Sequence, residues 1–413
     1  MKFDSIIIGG GLTGLTCALT LAKAGQRTAL ITAGQSTLHF HSGSVDLLGY
    51  DEQGQTVLHP LDAIRALSAS HPYHKVDDVA ARAEEAARLL ADAGLLMDGT
   101  TDRNHFRLSP MGVSKPAWLT LNGLVRSAEE DSLPWRTVTF ANIRGFLDIP
   151  TEFLVDNIRR KGTDVEVKSF TTPELEQARR SPSEMRATNV GKVLADETAL
   201  RRMVEAIDGL EADGEVILLP AVLGVADARA ESSLRQLVDR PIRFVVTMPP
   251  SMPGVRLQTC LRQAYQQLGG MYCASDAVTG GCFEAGRLRY VTTENMPDER
   301  FYADHFVLAT GSFQSRGLMS NYRGVFEPVF GLDVDAADDR GAWTAEYVYD
   351  DQPYMRFGVR TDERLLVSRN GVRVDNLYAS GSVLSGHNAL KLADGSGVDM
   401  LTALQAAHNI LKK

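Results

Sequence analysis

The stretch "FDSIIIGGGLTGLTCALTLAKAGQRTALITAGQ", residues 3–35, decides how the rest of the chain is read. Phe3 to Ile8 is a short apolar, β-branched run of the kind that forms a buried strand. Gly9, Gly11 and Gly14 follow in G-x-G-x-x-G spacing, and apolar residues then recur at helical intervals from Leu15 to Ala24. The first glycine permits a tight turn, the second lets backbone approach a pyrophosphate, and the third lets helix pack on strand while the helix N-terminus faces the phosphate charge. A second apolar run, "TALIT", completes a strand, turn, helix, strand unit. An α/β, Rossmann-like nucleotide-binding fold is therefore expected here.

One part of that pattern is missing. Counting on from Gly9, the position where Asp or Glu would accept the ribose hydroxyls is Thr32. Threonine offers one hydroxyl and not the two-oxygen acceptor of an ionised acid, so an adenosine ribose would be held less firmly. Either the adenosine half is held in another way or the cofactor lacks it.

With 413 residues the chain can bury a large core and is expected to divide into two domains. Its 43 basic against 52 acidic residues give a net charge of −9, which argues against a general nucleic-acid binder. The four cysteines, Cys17, Cys260, Cys273 and Cys282, stand at no metal-ligand or iron–sulfur spacing, so no metal site is expected. There is neither a secretory apolar core nor a run long enough to span a bilayer, and the longest apolar stretch, 216–226, is broken by Pro220. A soluble protein of a reducing compartment is the expectation.

Further along, "QSTLHFHSGSVDLLG" (35–49) reads as a loop rich in small donors, and 78–95 as an amphipathic helix ending at Gly94. Residues 100–185 are irregular with short strands. Helices are expected over 197–210 and 255–268, a strand over 215–219, and two or three antiparallel strands after "GG" at 269–270. Two later places return to a ligand. "HFVLATGSF" (305–313) runs a strand into Thr310-Gly311, and "VDNLYASGSVLSGHN" runs one into Gly381-Ser382, followed by a glycine turn with Gly395 and Gly397 that enters a final helix.

In that order these features resemble the two-dinucleotide-fold flavoproteins. The segments "SEMRATNVGKVL", "ILLPAVLGVAD", "PPSMPGVRLQ", "VLATGSF", "EPVFGLDV" and "FGVRTDERLLVS" narrow the resemblance to the B subunits of anaerobic glycerol-3-phosphate dehydrogenases, over nearly the whole chain. The resemblance implies an FAD/NAD(P)-binding type of fold with an inserted α+β cap domain. The flavin domain is expected over 1–75, 190–320 and 366–413, and the cap over 76–189 and 321–365. It also implies FMN, with FAD as the alternative, and the missing acid at Thr32 agrees with a cofactor lacking adenosine. The implied partners are a catalytic A subunit and an iron–sulfur, membrane-anchoring C subunit on the inner face of the cytoplasmic membrane. At the level of the complex, sn-glycerol 3-phosphate is oxidised to dihydroxyacetone phosphate with a quinone as acceptor. The last helix would point its positive end at the flavin pyrimidine. Where many flavoproteins have Gly-Asp after the terminal strand, this chain has Gly381-Ser382.

The candidate cofactor contacts are therefore Gly9, Gly11, Gly14, Thr32, Ser42, Gly43, Ser44, Thr310, Gly311, Gly381, Ser382, Gly395 and Gly397. His39 and His41 would share one face of an extended stretch and, with Ser42 and Ser44, could bond a flavin edge; loop histidines bonded to solvent or backbone are the plainer alternative. These two and His387 are the candidate acids or bases for C–H oxidation. Arg256, Arg262, Arg356 and Arg360 could hold a phosphate. Three functions remain open on these residues: a flavin relay subunit, a scaffold with a degenerate nucleotide fold, and an independent flavin-dependent hydroxy-acid dehydrogenase.

Overall fold

A computed structural model describes residues 1–224 and 229–412, so the last residues of the apolar stretch 216–226 lie outside the described residues. The chain divides into two compact units. The first comprises Met1–Thr37, Asp46–Ala93 and the chain from Leu261 on; the second comprises Leu38–Val45 and Gly94–Cys260. The boundaries differ from those expected. Residues 190–260 fall in the second unit, while 76–93 and 321–365 fall in the first.

In the first unit the opening stretch forms strand β1 (Lys2–Ile8), helix α1 (Leu12–Lys23) and strand β2 (Thr28–Thr32). β2 is buried at every position, as a strand covered on both faces must be, which is why it reads as an unbroken apolar run. Helix α2 (Val79–Asp92) begins where the Asp78 carboxylate accepts the Ala81 N–H at 3.0 Å. Strands β3 (Met271–Ala274), β4 (Val278–Glu284), β5 (Arg287–Thr293), β6 (Phe301–Leu308), β7 (Leu366–Arg369) and β8 (Val372–Ala379) follow, then helix α3 (Gly395–Leu411). The parallel order is β3, β2, β1, β6, β8, with β5 added antiparallel to β6, β4 antiparallel to β5, and β7 antiparallel to β8. Of the strands expected to be antiparallel after residue 270, β3 instead joins the parallel sheet beside β2.

The register fixes what stands together. Ile8 lies opposite both Ile31 and Leu308, and Leu308 lies opposite Ala379. The carboxyl ends of four parallel strands are thus level, and the turns leaving them, at Gly9, Thr32, Ala309-Thr310 and Ser380-Gly381, are neighbours. Helices α1 and α3 are apolar nearly all round and buried through most of their length.

The second unit holds a fully parallel sheet in the order 164–170, 137–143, 216–220, 242–245. The apolar run at Val216–Pro220 is wholly buried in it, pairing on both sides. Periodicity identifies such a strand but not the sheet it joins, which explains its expected placement in the other domain. Two small antiparallel sheets complete the unit, one containing Ser44–Val45 and the other His105–Leu108.

Candidate functional site

The three motif glycines serve different ends. Gly9 has φ +120°, and a Cβ there would sit 2.1 Å from the Ala309 carbonyl oxygen. A Cβ on Gly14 would lie 1.9 Å from the Gly9 carbonyl oxygen. Both glycines are required by the fold itself. At Gly11, the residue preceding α1, a Cβ would meet nothing within 4 Å. No neighbouring atom requires glycine at Gly11, the N-cap of a 12-residue helix, and the position leaves open space where backbone N–H groups favour an anion.

The neighbouring strand ends add two orphaned groups. The Thr310 and Ser380 hydroxyls are buried and have no hydrogen-bond partner among the described residues. Buried polar groups are seldom left so, and these two stand on turns beside Gly9. An open position at Gly11 with unpartnered hydroxyls close by fits a phosphate-bearing cofactor. Thr32 is different: its hydroxyl donates to the Gly34 carbonyl at 3.1 Å, and its side chain fills the space next to Gly10.

At the end of β8, Gly381 has φ +78°, and a Cβ there would press on Thr13 at 2.0 Å and on the Asp399 carboxylate at 2.7 Å. The Ser382 N–H and hydroxyl both donate to Asp399 Oδ1 at 2.8 Å. Burial raises the Asp399 pKa, partly offset by the Ser382 and Thr13 hydroxyls. A carboxylate thus does stand at this turn, supplied by α3 and not by the residue after Gly381. Sequence reading missed it because the expected acid was sought in the strand-end dipeptide; the only signal was an Asp two residues after Gly397.

At the start of α3 lies a buried cluster. Asp394, immediately before the helix, accepts from His71 Nε2 at 2.8 Å and from His387 Nδ1 at 3.3 Å. Burial disfavours the Asp394 anion, but the His387 charge and the two imidazole hydrogen bonds outweigh it and hold the carboxyl below the usual range. Burial also disfavours the His387 cation, and the Asp394 charge and hydrogen bond, with Asp399, more than offset this and raise its pKa. His71 and Asp394 were not among the residues expected from the sequence. Gly397 was, yet its N–H donates to the Asp46 carbonyl at 2.7 Å and its missing side chain makes room for the Tyr73 hydroxyl.

The FAD binding domain family model matches residues 4–398. The B subunit of the anaerobic glycerol-3-phosphate dehydrogenase of Yersinia enterocolitica is 38% identical, with 100% of this chain and 98% of the relative covered. That of Pectobacterium atrosepticum is 36% identical, covering 100% and 99%. The chain belongs to the FAD binding domain family, among these B subunits. Of solved structures, glycine oxidase from Bacillus cereus covers 100% of this chain and 95% of its own, at 12% identity and a TM-score of 0.37.

Most of the remaining candidates make contacts within the fold. His39 and His41 do not share an extended face, because Thr37–Phe40 is a 3-10 turn and the His41 N–H donates to the Leu38 carbonyl at 2.9 Å. His41 Nδ1 accepts from the Gly43 N–H at 3.1 Å, and burial, with the Arg107 charge, pushes its pKa down to about 4. The Ser42 hydroxyl accepts from the Ser44 N–H at 3.3 Å. The Ser44 hydroxyl accepts from Thr120 at 2.9 Å, and a Cβ on Gly43 would strike Pro253 at 2.6 Å. These five residues lie in the second unit, whereas the glycine turn and His387 lie in the first. Gly311 has φ +76° and accommodates the Ser315 hydroxyl, and Gly395 opens α3 beside Ala389. Arg256 is buried, pairs with Glu231 at 2.7 Å and donates to the Leu223 and Gly224 carbonyls. Arg356 pairs with Asp351 and Arg360 with Asp335, each at 2.6 Å, and Arg262 lies 5.8 Å over the Tyr272 ring. Among the described residues no helix is long and apolar enough to cross a membrane.

Proposed function

We propose that the chain is the flavin-carrying, electron-relaying subunit of a glycerol-3-phosphate dehydrogenase that delivers electrons to a quinone. The observation that carries this reading is the open position at Gly11 beside the unpartnered Thr310 hydroxyl, at the level carboxyl ends of parallel strands. Gly11 and Thr310 are the proposed flavin contacts, framed by the turns that Gly9, Gly14, Gly311, Gly381 and Ser382 build, with Asp399 as the carboxylate of the site. A bound flavin would supply reversible hydride and electron acceptance. FMN is favoured because no carboxylate ends β2 and the Thr32 hydroxyl is already bonded to Gly34. The family description favours the alternative, FAD.

Support for a complex comes from the relatives, whose names make them B subunits of a larger enzyme. The proposed partners are a catalytic A subunit and an iron–sulfur C subunit that anchors the assembly on the inner face of the cytoplasmic membrane, with sn-glycerol 3-phosphate oxidised to dihydroxyacetone phosphate by the whole. His387 is the acid–base candidate retained for this chain, and His39 and His41 are weaker ones, since both belong to a loop whose groups bond one another.

Acid release and chromatography of the bound flavin test the cofactor: FMN is expected, and stoichiometric FAD would defeat the argument from Thr32. Anaerobic mixing of the flavin-loaded chain with glycerol 3-phosphate should leave its spectrum oxidised until the A subunit is added. Rapid bleaching by substrate alone would make this chain the dehydrogenase itself.

A further inference from the structure

The cluster His71, Asp394 and His387 lies wholly in the first unit and is buried, with side chains 1%, 0% and 4% exposed. Donor atoms of the three come within 4.8 Å of one another, a spacing that a metal ion could also use. The hydrogen bonds decide between the two uses. His71 Nδ1 accepts the Tyr73 N–H at 3.2 Å, so it carries no proton, and a neutral ring must then carry its proton on Nε2. Nε2 is the atom 2.8 Å from Asp394, so it donates there and has no lone pair for a metal. His71 is thereby fixed as a neutral donor, and burial lowers its pKa in the same sense.

His387 stands on the other carboxylate oxygen. Its Nδ1–H donates to Asp394, and its Nε2 has no hydrogen-bond partner among the described residues. Gly386 sets the ring's position: it has φ +101°, and a Cβ there would fall 2.1 Å from the Ser70 carbonyl oxygen. The His387 and His71 rings meet edge to face with centroids 5.8 Å apart. The charged groups that His387 feels are Asp394, Asp399 and Arg356, beside the neutral His71 ring, and of these Asp399 reaches the strand-end turn through Ser382.

We propose that His387 is the proton-carrying group of this unit's ligand site, and that Asp394 and His71 are positioning residues that orient it and balance its charge. His387 Nε2 would give its proton to a bound flavin taking up electrons that originate in glycerol 3-phosphate, leaving neutral His387 with Nδ1–H still on Asp394, and would take it back when the electrons pass on toward the quinone. His71 cannot intercept that proton, because its one acceptor nitrogen is occupied by the Tyr73 N–H. The ligand class, a flavin, rests on the function proposed above, but the assignment of protons does not.

Histidine-selective 15N NMR of the full chain, with and without FMN, tests the idea. In the flavin-free protein His71 should show the neutral Nε2–H form at pH 7, and His387 should titrate above the ordinary histidine value. Asp394→Asn should lower the His387 protonation constant by about tenfold or more. FMN should shift the His387 Nε2 resonance and leave His71 unmoved. A His387 that titrates at the ordinary value in wild-type protein would overturn the proposal without any variant, as would stoichiometric zinc in the purified chain. If the proton assignments hold but FMN does not bind, the cofactor reading fails, while the orientation of His387 by Asp394 and His71 stands. If FMN binds with His387 neutral, the relay fails and the cofactor reading stands.

Discussion

The glycine turn of the first unit and the loop at 38–45 of the second are built from similar small residues, yet they differ in what they leave unbonded. In the loop, the Ser42 and Ser44 hydroxyls, the His41 ring and the Gly43 N–H all bond to neighbours. At the turn, Gly11 borders open space and the Thr310 hydroxyl has no partner among the described residues. Residue type marked both as ligand loops. Uncommitted bonding capacity separates them, because a site must retain groups that the fold has not already satisfied. The histidines follow the same division: burial and the Arg107 charge lower the His41 pKa, whereas Asp394 raises that of His387.

The comparison can be broken most severely at the glycines. Gly9→Val and Gly14→Val place a side chain on backbone atoms about 2 Å away and should cost more than about 3 kcal/mol, seen as loss of folded protein in urea or thermal melts. Gly11→Val should cost only about 1 kcal/mol, the loss of a good N-cap residue, yet weaken flavin binding about 100-fold or more by fluorescence titration. Equal instability in all three variants would remove the distinction between structural and ligand-facing glycines.

A pH series sharpens the histidine contrast. His105 of the second unit is buried, and burial, with the Arg126 charge, lowers its pKa to about 4. Between there and the ordinary value near 6.5 the unfolded chain holds more protons, so stability from His105 and His41 is present above about pH 6.5 and lost as pH falls toward 4. His387 has the opposite sign: its contribution is complete below about pH 6.5 and is lost as pH rises through its raised folded value. Urea midpoints from pH 4.5 to 8.5 should show both limbs, with His105→Gln flattening the acid limb and His387→Gln the alkaline one. The smallest effect is expected for Ser382→Ala, which removes one hydroxyl donor from Asp399 and should cost about 1 kcal/mol while raising the Asp399 pKa further.

The sequence made the first unit's core legible because its signals are local: an apolar strand, a glycine turn and a helix lie within 35 residues. The ends of β6 and β8 were legible for the same reason, through Thr310-Gly311 and Gly381-Ser382. What escaped was long-range. Asp399 substitutes for an acid expected at 382, and His71 meets Asp394 across 323 positions, a pairing that no periodicity encodes. The division between units was misjudged where Val216–Pro220, an ordinary apolar strand, could join either sheet.

The level strand ends have a consequence for biosynthesis. β1 and α1 are made early, but β8 and α3, which belong to the same unit, are not made until synthesis has passed Val372. Until then the apolar surface of α1 lacks the helix that packs on it, and the Gly381 turn does not exist. A shorter nascent chain therefore lacks one wall of the proposed ligand site and exposes apolar surface, which makes it a natural client for chaperones.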